Sequence, residues 1–123
     1  MADINAFCHE KNALQKLDKN RVIIGGRFKM QIISIKEKKI LNEIETSFLI
    51  WAICVIENKK IFICGGVSPY LLIFNSENYE NLGKVENSHN GRIRGISPLN
   101  NGNIISGAED NKTKIWKIIY MKS

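Results

Sequence analysis

The chain has few of the residues that staple or metallate a small fold. Its 123 residues include three cysteines and two histidines. Cys8, Cys54 and Cys64 are odd in number, and two of them lie within apolar runs. That argues against a disulfide framework and makes Cys54 and Cys64 small buried hydrophobes. The close-spaced pairs that a zinc site needs are missing among Cys8, His9, Cys54, Cys64 and His89, so neither a metal nor any other cofactor is expected. The most apolar stretch, residues 48–56, is far shorter than the roughly 20 residues that cross a bilayer. Residues 1–7 lack a basic region followed by a long apolar run, so no secretory signal is read there. Unpaired thiols point to a reducing compartment, the cytoplasm first and the nucleus second. No stretch sustains a 3.6-residue period, which leaves no room for helices. Gly25-Gly26 and Gly65-Gly66 lack the Lys-Ser/Thr of a phosphate-binding loop and are read as tight turns closing a strand.

What is present favours strands. Hydrophobic residues make up 44% and charged residues 24% of the chain, enough apolar matter for a packed core. Isoleucine is frequent and suits pleated, half-buried surfaces. The net charge is +6. The lysines are scattered through turns (Lys36, Lys38, Lys39, Lys59, Lys60, Lys112, Lys117), as solubilising loops and edges require. Binding of RNA or another polyanion is therefore the alternative reading, not the first.

The strongest signal is an internal repeat. Residues 11–17, 50–56 and 93–99 are equivalent runs, each with a small residue third (Ala13, Ala52, Gly95) and aliphatics fourth and seventh. Each is followed by a second run ending in glycine: Gly25, Gly65 and Gly107, spaced by 40 and 42 residues. Nine residues past each glycine a third run ends, at Ser34, Phe74 and Trp116. Turn signals at 18–20, 57–58 and 100–102 separate the runs. These are strands a, b and c of each unit, and a strand d is expected at Lys39 to Glu45 and at Tyr79 to Val85. A period of about 40–45 residues with four short strands is the signature of a propeller blade.

The third unit closely resembles a WD (tryptophan–aspartate) repeat. His89 precedes strand a, Ser106 and Gly107 end strand b, Asp110 lies in the b–c turn and Trp116 ends strand c. The resemblance implies an all-β, partial and open WD-repeat β-propeller of three blades, each of up to four antiparallel strands. It forms a single domain over 1–123, with repeats at about 10–45, 46–87 and 88–120. It also implies a buried hydrogen-bonded set in which Asp110 accepts from His89, His89 meets Ser106 and Ser106 meets the Trp116 indole. The first two units match by spacing. They hold Phe28 and Ser68 at the Asp place, Ser34 and Phe74 at the Trp place, Ile24 and Cys64 at the Ser place, and Phe7 and Thr46 at the His place.

His89, Ser106 and Asp110 are also the residue types of a catalytic triad. A nucleophilic serine needs an exposed elbow, whereas Ser106 ends a strand whose repeat explains all three residues, so no enzyme is expected. The resemblance implies a scaffold that binds other proteins on the face made by the starts of strand a and the b–c turns. By position those residues are Asn12, Arg27, Leu49, Trp51, Val67, Arg92, Arg94 and Glu109. Closed propellers have about 4–8 blades. Three blades imply a fragment of a longer propeller, a ring completed by another chain or by self-association, or an open arc.

Overall fold

Each sequence unit makes its own antiparallel sheet, and local turn chemistry sets where the strands stop. The computed structural model describes residues 13–118. Blade 1 is β1 (Ala13–Lys16), β2 (Arg21–Gly26), β3 (Lys29–Ser34) and β4 (Lys39–Glu45), paired in that order. Blade 2 is β5 (Ile50–Ile56), β6 (Ile61–Gly66), β7 (Ser68–Asn75) and β8 (Asn81–Val85), and blade 3 is β9 (Ile93–Pro98), β10 (Ile104–Ala108) and β11 (Thr113–Trp116). A single 3-10 turn, Glu57–Lys59, links β5 to β6. None of the described helices is long and apolar enough to cross a membrane.

Short polar side chains close the turns. The Asp18 carboxylate accepts from the amides of Asn20 and Arg21 at 2.9 and 2.8 Å. The Asn75 side chain accepts from Glu77 and Asn78, and Asn101 from Asn103. β8 begins at Asn81 rather than at Tyr79, because Tyr79 is left-handed (φ 64°) and its amide closes a turn onto the Asn75 carbonyl.

The reading of Gly25-Gly26 and Gly65-Gly66 as tight turns is corrected. All four are extended members of β2 and β6. Their smallness serves close approach instead: a Cβ on Gly66 would lie 2.0 Å from the Leu49 carbonyl oxygen. The left-handed residue of the first b–c turn is Phe28, at φ 59°.

Two apolar seams join the blades. Leu17, Ile23, Met30 and Ile32 of blade 1 pack against Ile50, Ile53, Phe62, Cys64 and Phe74 of blade 2. Cys54, Ile56, Ile61, Ile63 and Leu71 on the other side of blade 2 pack against Ile93, Ile96 and Ile104 of blade 3. The strand period of two sends β6 alternately into each seam. In β5 the pairing slips between Ile50 and Ala52, and this bulge puts Ile50 in the same seam as Ile53. Polar ties reinforce both seams. The Arg21 guanidinium donates to the Ser76 carbonyl at 2.7 Å and to the Tyr79 hydroxyl at 3.0 Å, and Lys59 Nζ donates to the Ile118 carbonyl at 3.0 Å.

Candidate functional site

One end of the blades collects the b–c turns and the segments entering each strand a. Backbone hydrogen bonds knit these together: Thr46 to the Phe28 carbonyl, Val67 to Leu49, and Glu109 to Arg92. This pairing carries the residues singled out from the sequence to a common surface.

In blade 3 the surface rests on a buried polar chain. Trp116 Nε1 donates to Ser106 Oγ at 2.8 Å. Ser106 Oγ lies 2.8 Å from His89 Nε2, and His89 Nδ1 lies 3.1 and 3.2 Å from the Asp110 carboxylate oxygens. An indole only donates and a carboxylate only accepts, so the proton order is fixed. His89 carries its hydrogen on Nδ1, and the Ser106 hydroxyl donates to Nε2. Asp110 also accepts from the amides of Asn90 and Lys112, each at 3.0 Å. Burial opposes the ionisation of Asp110, yet these amide bonds and the His89 N–H outweigh it and hold the carboxyl at about 2. Every buried polar side-chain atom among the described residues has a partner.

This geometry leaves no nucleophile. Ser106 is 1% exposed, and both its donor and its acceptor capacity are engaged inside the blade. The described residues contain no cluster of three or more His, Cys, Asp or Glu able to hold a metal. Cys54 and Cys64 are buried free thiols, both pushed up by loss of solvent, Cys54 to about 11.

The exposed part of the same end bridges blades 2 and 3. The Arg94 guanidinium lies 4.2 Å from the centroid of the half-buried Trp51 ring and that of Arg92 5.7 Å from it. Arg94 donates twice to Glu109, at 3.0 and 2.6 Å, and Arg92 approaches the same carboxylate at 3.8 Å. Ile93 between them is fully buried, as strand alternation requires. Beside this cluster a groove of about 400 Å³ is lined by Val67, Pro69, Asn90, Gly91 and Arg92, among others. A second groove of about 330 Å³, lined by Arg27, Phe28, Ser47, Phe48, Leu49 and Val67, runs across blades 1 and 2. Val67 borders both grooves. The structure therefore brings together Arg27, Leu49, Trp51, Val67, Arg92, Arg94 and Glu109 in two adjoining groups. Asn12 and Phe7 lie outside the described residues.

The sequence reading missed Phe28 as a surface residue. It is 51% exposed, in a left-handed turn and 5.7 Å from the Arg27 guanidinium. A bulky aromatic at a place where the third unit has Asp110 was the available signal. Blade 2 lacks the polar chain: Cys64 is buried, the Thr46 hydroxyl turns to the Phe48 carbonyl, and Phe74 stacks on Phe62 at 5.3 Å.

No family model matches the chain, and no curated protein matches it. Solved structures do match. The WD40 β-propeller domain of Doa1 superposes with a TM-score of 0.76 at 19% identity, over 85% of this chain and 35% of that one. The WD40 repeats of RRP9 and the structure of U3-55K each give a TM-score of 0.83 at 15% identity, over 92% of this chain and 37% of theirs. The chain thus spans about a third of the length of the solved propellers it matches. At such identity the likeness speaks to the fold, and the fold is that of WD40 β-propeller blades.

Proposed function

We propose that this chain is a non-enzymatic interaction module that captures a segment of another protein along the end of its blades. The observation that carries this is Trp51, held beneath Arg94 and Arg92 across the boundary of two blades and next to two open grooves. Trp and Arg are the residues most often found where binding energy concentrates. Arg27, Arg92 and Arg94 outweigh Glu109 there, so the segment that fits is acidic, with an apolar or aromatic side chain to lie on Trp51. The WD40 fold supports the reading, as does the engagement of Ser106 within the blade. Three blades are fewer than the 4–8 of closed propellers, so the module works as part of a larger ring or arc.

Alanine at Trp51 and at Arg94 tests the face. Each variant should weaken capture of an acidic peptide at least about tenfold, with an unchanged melting temperature. Capture unaffected by both changes removes this face from the proposal. The polyanion reading rests on the net charge of +6. It requires RNA binding that falls steeply with salt, and salt-insensitive binding would end it.

A further inference from the structure

The glycine near the end of strand b meets a different neighbour in each blade. A Cβ at Gly25 would lie 2.6 Å from Ile50 Cγ2, and one at Gly65 would lie 3.1 Å from Ile93 Cδ1. In both blades the absent side chain makes room for the isoleucine that opens strand a of the next blade. Gly107 is the third of the series, and a Cβ there would meet nothing within 4 Å. The same holds for Gly95, its register partner on β9.

The aliphatic ladder beside these glycines follows the same trend. In blade 1 the paired Ile23 and Ile32 are fully buried against blade 2. In blade 2 the paired Ile63 and Ile73 pack into the seam with blade 3. In blade 3 the equivalent pair is Ile105, half-buried, and Ile115, 66% exposed. Register defines the rest of this face: Ser97, Ile105 and Ile115 in one row, Gly95, Gly107 and Thr113 in the next. None of the six is charged, although solvent-facing strands are usually protected by charge.

We infer that this face of blade 3 is a docking site for a further propeller blade, whose strand a opens with a β-branched aliphatic residue that seats on Gly107. The occupant follows from continuity with the two seams already filled, where Ile50 and Ile93 occupy the equivalent sockets. A second copy of this chain offers a poorer match, because its first unit has Lys11 at the place of Ile50 and Ile93. The inference rests on the blade being part of a larger ring or arc and is independent of the end-face capture.

The test compares the full chain with the same chain extended at its C-terminus by a copy of residues 46–87, whose strand a begins at Ile50. The extended chain should melt at least about 5 °C higher. An Ile115→Cys thiol, open to maleimide in the unextended chain, should become slow to label in the extended one. Gly107→Leu projects into open space, so it should leave the unextended chain's melting unchanged and cancel both gains. Absence of both gains, or gains that survive Gly107→Leu, overturns the inference. An unmodified chain that runs at twice its 14.0 kDa mass, and that Gly107→Leu returns to a monomer, assigns the face to a second copy and overturns the occupant named. Loss of peptide capture in the end-face variants moves none of these readouts.

Discussion

In blade 3, a hydrogen-bonded chain runs from the Trp116 indole through Ser106 and His89 to Asp110. In blade 2 the same places hold Phe74, Cys64, Thr46 and Ser68, and Phe74 stacks on Phe62 inside the seam with blade 1. Both sheets nevertheless pair their first three strands in the same order. The blade geometry therefore tolerates two kinds of internal support. Apolar packing depends on volume and little on direction, whereas a polar chain depends on direction, protonation and the presence of every member.

Each half of that comparison can be broken separately. The largest effect is expected from Phe74→Ala, which empties a buried aromatic site and should cost about 3–5 kcal/mol in urea unfolding. Trp116→Ala removes a less buried ring, yet per atom lost it should cost more, because Ser106 loses its donor and the order through His89 is disturbed. Equal losses per atom would show that the polar chain adds nothing to packing. Trp116→Phe isolates the hydrogen bond and should cost about 1–3 kcal/mol, and a neutral result would carry the same message.

The glycines sharpen the comparison between filled and open seams. Gly25→Ala forces a contact on Ile50 and should destabilise by about 1–3 kcal/mol. Gly107→Ala meets open space and should stay within about 0.5 kcal/mol of wild type. Thermal melts of the two variants side by side decide this.

The smallest effect is in pH. Asp110 titrates at about 2 in the folded chain, below its ordinary value of 3.8. Its contribution is thus complete above about pH 4 and is lost as the pH falls through about 2. The melting gap between wild type and Asp110→Asn should close over that window. A gap that stays constant from pH 5 to pH 2 would show that the ion is not what holds the chain.

Much of the fold was legible because the repeat is written in residues with local consequences. The glycine spacing located every strand b, and β4 and β5 lie where the apolar runs and turn signals put them. What escaped depends on partners far away in sequence. The slip beside Trp51 that turns Ile50 into the first seam leaves no local mark. The Arg21 bonds to Ser76 and Tyr79 join residues more than 50 positions apart. The sequence does not distinguish a glycine needed for a turn from one needed for close approach, so Gly65-Gly66 was misread. At the end face, strand alternation placed Arg92 and Arg94 on the outside. Their convergence on Trp51 of the neighbouring blade needed the packing of β9 against β5.

Cys64 belongs to the seam between blades 1 and 2, and Cys54 to the seam between blades 2 and 3. Each thiol is buried and kept neutral, so neither reacts while its seam is closed. The molecule thus contains two internal clocks, one per seam. Under an alkylating reagent, the labelling time of Cys64 measures how often the first pair of blades parts, and that of Cys54 how often the second pair does.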